Sequence, residues 1–315
     1  MKRRSAALAF AWLGLSASAA MADYPDRPIT FIVPFAPGGG ADVGVRLMEP
    51  FMEKCLGGDL VVIDKPGAGG VLGMIEIANA PADGYTLGSL LTPNLPVGTI
   101  ATDAPRYTMD SFDYLANLVG SRVAISARRG GKYETIRQLV DAARKSPVQA
   151  AITQAGADDH LVLLRLMEAT GAKFNFIPMV ESPQARNAVM GGHVDILGLS
   201  VTESANFKDQ LTTLAVAGSE RFSGLPDVPT LKELGWDITG GNTFLMGAPH
   251  GLPQDVKEKL DRCFQQVGAD PEYRKQVTDR NFILTPMDAA QTEKFARGEY
   301  DALKRLWDAD PWLKK

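Results

Sequence analysis

Two glycine-rich loops, each set between a short apolar run and a segment of helical period, constrain this chain more than any other feature. The first, Pro37-Gly38-Gly39-Gly40, follows the run 29–35 and opens a helical segment from about Asp42. The second, Pro66-Gly67-Ala68-Gly69-Gly70, follows the run 60–64 and opens a helical segment that ends at Asn79. Apolar strands alternating with amphipathic helices are the pattern of α/β layers with a largely parallel sheet. In such sheets ligands bind beyond the carboxyl ends of the strands. Glycine lets the backbone approach a ligand closely, and the helix that follows adds unsatisfied N–H groups and a positive dipole end. Two loops after adjacent strands point at one spot, and the geometry suits a carboxylate.

The same alternation continues. Pro50 inside the first helical segment predicts a kink or an early stop. The turn Pro81-Ala82-Asp83-Gly84 leads into a strand over 85–91, and an apolar stretch over 115–126 is long enough to cross between two units. A second set follows: helix 136–145, strand 148–152, a polar loop 153–159, helix 160–170, strand 174–178, helix 183–190 and strand 194–199. A strand over 211–216, a proline-rich connection over 225–229 and a strand over 243–248 that crosses back precede a helical tail over 253–307. No internal repeat and no low-complexity linker interrupts this order.

The N-terminus predicts export. Lys2, Arg3 and Arg4 precede an apolar run over 6–15 and small residues ending in Ala20-Met21-Ala22, an A-x-A cleavage pattern. The run is too short for a membrane span, which takes roughly 20 residues. A signal peptide over 1–22 cleaved near Ala22 places the mature chain in the periplasm, and its loss takes the formal charge from -4 to about -7, because no acid precedes Ala22. No block of Lys and Arg stands out, so nucleic acid is not an expected partner. The two cysteines, Cys55 and Cys263, leave two readings open in an oxidising compartment: one disulfide, or two separate buried thiols, since Cys55 shares an apolar stripe with Val43, Leu47 and Phe51.

Catalytic and cofactor patterns are thin. Neither glycine loop ends in the GK[ST] of a phosphate-binding loop, and Gly67-Ala68-Gly69-Gly70-Val71-Leu72-Gly73 misses G-x-G-x-x-G by one place. There is no G-x-S-x-G elbow, no H-E-x-x-H and no paired-cysteine metal pattern. No cofactor and no metal is expected. His193 and His250 read as turn and loop residues. His160, after Asp158-Asp159 at a helix start, reads either as a ligand contact or as a group that orients its own loop.

The stretch Tyr24-Pro25-Asp26-Arg27-Pro28-Ile29 through Val33-Pro34-Phe35-Ala36-Pro37-Gly38-Gly39-Gly40-Ala41-Asp42 closely resembles the substrate-binding proteins of tripartite tricarboxylate transporters, the Bug or TctC-like family. Lys65-Pro66-Gly67-Ala68-Gly69-Gly70, Pro81-Ala82-Asp83-Gly84-Tyr85-Thr86-Leu87 and Leu225-Pro226-Asp227-Val228-Pro229-Thr230 match later signatures in order. The resemblance implies a two-domain periplasmic-binding-protein (Venus-flytrap) α/β fold with a ligand cleft between the domains. It implies a monomer that captures a small carboxylate and hands it to membrane permease subunits, with no chemistry on the ligand. The expected domains are 23–122 with 243–315, and 123–242. Carried over from the family, the carboxylate is gripped by Phe35, Ala36, Gly38, Gly39 and Asp42 with Gly67, Ala68, Gly69 and Gly70. Thr92 and Asn94 fall at the cleft wall, and Gly156, Ala157, Asp158, Asp159 and His160 form the facing loop.

One departure stands out. The family commonly reads HVPYKG where this chain has Phe176-Ile177-Pro178-Met179-Val180-Glu181. An aromatic hydroxyl and a lysine are missing and a carboxylate is present. Two readings of Met179 and Glu181 stay open: drift on a solvated edge, or a cleft in which Glu181, together with Asp158 or Asp159, favours a ligand that carries an amino group or extra hydroxyls. Two other functions fit the same pocket: an exported enzyme acting on a small carboxylate, and a sensor that presents its ligand to a receptor.

Overall fold

The computed structural model describes residues 24–179, 182–309 and 311; the basic and apolar N-terminal segment, its cleavage site and Glu181 lie outside the described residues. The chain starts with β1 (Ile29–Val33), α1 (Gly40–Leu56), β2 (Leu60–Asp64), α2 (Val71–Ala78), β3 (Thr86–Thr92), α3 (Asn94–Ile100) and β4 (Phe112–Gly120). Its middle runs β5 (Val123–Arg128), α4 (Ile136–Lys145), β6 (Val148–Ile152), α5 (Asp158–Thr170), β7 (Phe174–Pro178), α6 (Ser182–Met190), β8 (Ile196–Ser200), α7 (Val201–Asn206) and β9 (Leu211–Val216). It ends with β10 (Thr243–Pro249), α8 (Gln254–Ala269), α9 (Pro271–Asp279), β11 (Ile283–Met287) and α10 (Ala289–Ala309).

These strands form two sheets, one ordered β11-β4-β10-β3-β1-β2 and one ordered β7-β6-β8-β5-β9. Both are mixed rather than largely parallel. In the first sheet β1 pairs in parallel with β2 and β3, whereas β10 runs antiparallel to β3 and β4. The reason is connectivity: β4 leads out of the first sheet and β10 returns to it, so the two run in opposite senses. Each sheet has its own apolar core. Val45, Met48, Met52 and Leu56 recur on one face of α1 and pack with Leu260, Phe264 and Val267 of α8. Ile125, Leu139, Val140, Leu163 and Leu166 anchor the second core. Burying one such side chain is worth about 1.5–3 kcal/mol, so both lobes hold together on packing.

Two local expectations need correction: an early stop at Pro50 and a wholly helical tail. Helix α1 runs through Pro50 without stopping. Pro50 is exposed, so the carbonyl it deprives of a partner faces water, while the buried face of the helix stays intact. The tail is not wholly helical: β11 pairs antiparallel with the edge of β4. Its Pro286 hides it from a strand pattern, and proline is tolerated there because an edge strand leaves N–H groups unpaired.

The cysteines form one disulfide. Cys55, one residue before the end of α1, is bonded to Cys263 in α8 with Cα atoms 5.6 Å apart, across a sequence separation of 208.

The chain crosses between the sheets twice, at 121–122 and at 240–242, and the two crossings pair. Ser121 N–H donates to the Asn242 carbonyl at 2.8 Å, Asn242 N–H returns to the Ser121 carbonyl at 3.2 Å, and Val123 N–H donates to the Gly240 carbonyl at 3.0 Å. Gly241 sits where the two strands nearly touch: a Cβ there would lie 2.1 Å from the Ser121 carbonyl oxygen. A narrow two-strand connection of this kind is where two lobes can bend relative to each other.

Candidate functional site

The lobes enclose a cavity of about 60 Å³. The first lobe lines it with Phe35, Gly39, Gly40, Ala41, Leu91 and Phe244, and the second with Thr153, Asp158, Asp159, Ser182, Ser200 and Glu203; Asn242 of the crossing strand closes the back. Gly39, Gly40 and Ala41 are the start of α1. Gly39 is its N-cap and no side chain caps it, so the free N–H groups of the first turn and the positive helix end face the cavity.

Asp42 keeps that end in place. One of its oxygens accepts the Gly38 N–H at 2.8 Å and the other accepts Arg46 Nε. Arg46 also reaches Asp64 Oδ2 at 3.1 Å. The carboxylate of the helix's own first turn is thus committed to its loop and to an arginine, and leaves the N-terminus open to an outside anion. Gly38 takes the left-handed turn, φ 76°, that this loop requires.

The second glycine loop does something different. Gly67, Ala68, Gly69 and Gly70 all have positive φ. Gly70 backs onto the Phe35 ring, and Gly69 lies so near the second lobe that a Cβ would sit 1.3 Å from Gln154 Oε1. Asn94 Nδ2 donates to the Gly69 carbonyl at 3.0 Å. This loop supports Phe35 and touches the facing lobe without lining the small cavity; Ala68 instead lines a separate space of about 310 Å³ with Gln154. Gly38, Ala36 and Asn94 do not line the small cavity either. Thr92 opens onto a larger space of about 660 Å³ bounded by α5, the crossing strand and α10, with Arg122, Arg165 and Glu299 on its rim.

The facing loop is built around two acids at the start of α5. Asp159 accepts the Thr153 N–H at 2.6 Å, the Thr153 hydroxyl at 3.2 Å and the His160 N–H at 2.8 Å, so it fixes the loop. Asp158 Oδ2 accepts Asn242 Nδ2 at 3.0 Å, and this contact separates the small cavity from the large one. Burial pushes both carboxyls well above the usual range, and the charge of Asp158 raises Asp159 further. His160 turns to its own loop: the Gly156 N–H donates to His160 Nδ1 at 2.9 Å, and the ring stands edge-on to Phe176 with centroids 4.6 Å apart. Burial lowers its pKa to about 4, so the ring is neutral. Ala157 is the buried N-cap residue of α5, and Met179 donates its N–H to the Ile152 carbonyl at 2.8 Å.

Sequence reasoning missed Glu203, Arg186 and Asn242. Glu203 Oε1 pairs with Arg186 Nη1 at 2.7 Å, and the guanidinium lies 4.0 Å over the Phe207 ring. Ser200 caps α7 by accepting the Glu203 N–H at 3.1 Å, and its hydroxyl also reaches Glu203 Oε2 at 3.3 Å. Burial pushes Glu203 up to about 7, against the opposing pull of Arg186. The pattern Ser200-Val201-Thr202-Glu203 has the S-x-x-E form of a capped helix start, and following a strand it was the signal that would have found this residue.

A mixed α/β chain folded into two lobes, joined by a paired crossing and enclosing a cavity, has the fold of the two-domain periplasmic binding proteins. The chain belongs to the tripartite tricarboxylate transporter family receptors, whose family model matches residues 45–309. It is similar to a UPF0065 protein in the gbd 5' region of Cupriavidus necator, 30% identical over 306 residues that cover 93% of this chain and 91% of the relative. Among solved structures it is similar to the periplasmic binding protein BugD, with 26% identity, a TM-score of 0.82 and coverage of 91% of this chain and 98% of that one. MatC from Rhodopseudomonas palustris, solved with bound malate, shares the fold at 22% identity and a TM-score of 0.80, over 90% of this chain and 99% of that one. The protein is a solute-binding protein of this family. Among the described residues no helix is long and apolar enough to cross a membrane.

Proposed function

We propose that the chain captures a small carboxylate in the cavity between its lobes and delivers it to the membrane permease of a tripartite tricarboxylate transporter. The observation that carries this reading is the bare N-terminus of α1 on the cavity wall, with Asp42 already committed elsewhere. A helix end alone contributes about 0.3–2 kcal/mol, far below the roughly 8 kcal/mol of a micromolar site. Hydrogen bonds from both lobes and exclusion of water on closure supply the rest.

The lobes we assign are 23–122 with 243–315, and 123–242; the membership of the strands in two sheets supports this division. We further propose that residues 1–22 direct export and that the mature chain works in the periplasm. The bound solute leaves unchanged: the Ser200 hydroxyl is engaged with Glu203 and the neutral His160 with its own loop, and neither is paired with the other.

The test is thermal unfolding of the ligand-stripped protein against mono-, di- and tricarboxylates, malate included. A ligand at a hundred times its dissociation constant adds about 2.7 kcal/mol, an evident rise in midpoint. A rise confined to one class names the solute; none with any carboxylate overturns the reading, and recovery of a chemically altered solute replaces transport with catalysis.

A further inference from the structure

Resting on that reading, we propose that the solute is an amino-carboxylate, with its carboxylate at the start of α1 and its cationic nitrogen between Asp158 and Glu203.

The two walls of the cavity have opposite electrical character. The first lobe offers backbone N–H groups and a positive helix end at Gly39, Gly40 and Ala41, flanked by the apolar faces of Phe35, Leu91 and Phe244. The second lobe offers three carboxyl groups, Asp158, Asp159 and Glu203. One cation, Arg186, is paired with them, through Glu203. The neighbouring imidazole, His160, is neutral and turned to the Gly156 N–H. The dipole of α5 offsets part of the charge of Asp158 and Asp159, which sit in its first turn.

The three acids are not equally available. Asp159 is saturated by Thr153 and His160. Asp158 gives one oxygen to Asn242, and Glu203 is divided between Arg186 and Ser200. Asp158 and Glu203 therefore remain the groups to which an ammonium can donate. In a cavity this small an anionic ligand end cannot be kept far from them. A second ligand carboxylate on this wall meets like charge, or requires these acids to take up protons; an ammonium there meets opposite charge and restores their ionisation. Both acids are raised by burial, the condition in which an arriving cation gains most.

The experiment compares 2-aminosuccinate with succinate and 2-hydroxysuccinate by calorimetric titration of the ligand-stripped full chain at pH 6 and pH 8. The amino compound is expected to bind about tenfold or more tightly than either analogue, and its advantage is expected to widen from pH 6 to pH 8 as the acids ionise. Asp158→Asn and Glu203→Gln are each expected to remove most of that advantage, by weakening the amino compound and strengthening succinate, whose second carboxylate then meets one like charge fewer. The Asp158→Asn protein keeps an acceptor for Asn242 and all of the Arg186 pair, so it serves if Glu203→Gln does not fold. Succinate binding equal to or tighter than the amino compound, or an advantage unchanged in both variants, overturns this inference and leaves the carboxylate reading standing. Failure of all three compounds, together with a silent carboxylate panel, overturns both.

Discussion

Asn242 Nδ2 donates to Asp158 Oδ2 at 3.0 Å, so the strand that connects the lobes is bonded to the first turn of the helix that faces the small interlobe cavity. The contact does two things at once. It divides the interlobe space into a small and a large cavity, and it ties an ionisable group to the paired strands that cross between the lobes.

This tie is measurable. A hydrogen bond to a charged group contributes roughly 1.5–3 kcal/mol, and partners in contact couple in a double-mutant cycle. Denaturant melts of Asp158→Ala, Asn242→Ala and the double variant, in which neither side chain can hold the other, are expected to give a coupling energy of about 1–2 kcal/mol. Additive effects would mean that the two side chains do not hold each other.

Asp42 predicts a binding defect with a modest folding defect. Asp42→Ala releases Gly38 and Arg46 and loosens the loop that presents the start of α1. The expected loss is about 1–3 kcal/mol of stability with a larger proportional loss of carboxylate affinity. Asp42→Asn retains an acceptor and is expected to fall between wild type and alanine. Melts and titrations on the same samples check the order.

The disulfide predicts stability without a role in binding. Cys55 and Cys263 close a loop with a sequence separation of 208 between α1 and α8, for which chain entropy gives an upper figure of about 5 kcal/mol. The paired Cys55→Ser and Cys263→Ser protein is expected to unfold at a clearly lower urea concentration. Its ligand-induced shift in midpoint is expected to match wild type, since neither cysteine lines the cavity.

Glu203 predicts a pH dependence with a definite sign. Its pKa rises from 4.5 to about 7 on folding, chiefly by burial, so the folded chain holds this proton over a range where the unfolded chain has lost it. Its contribution is fully present below about 4.5 and is lost as pH rises through about 7. Relative to Glu203→Gln, the ligand-free wild type is expected to lose about 3 kcal/mol of stability between pH 4.5 and pH 8. Urea melts of both proteins at several pH values test this; a flat difference would place the ionised Glu203–Arg186 pair in the folded state throughout.

Much of the architecture was legible in the residues. The two glycine loops, the strands before them and the helices after them are set by turn chemistry and short-range periodicity, which act over a few residues and leave marks in the chain. The motif order pointed to the family for the same reason. The mixed character of the sheets was not legible, because it depends on which strands cross between lobes. Strand β11, with its proline at a sheet edge, carries too little pattern to be seen alone. Among the proposed ligand residues, Phe35, Gly39, Asp158 and Asp159 meet at the small cavity, while Gly67, Gly69, Gly70 and Asn94 form a supporting layer and His160 faces its own loop.

The sequence by itself determined the α/β layers, the helix start that an anion can use, and the membership of the family, since each is written in local spacing. Only the tertiary structure decided that Cys55 meets Cys263, that Gln154 closes against Gly69, and that Glu203 and Asn242 join Asp158 at the cavity. Those meetings depend on how two separately packed lobes are held by one pair of crossing strands, and a distance between lobes leaves no periodicity in the chain that builds them.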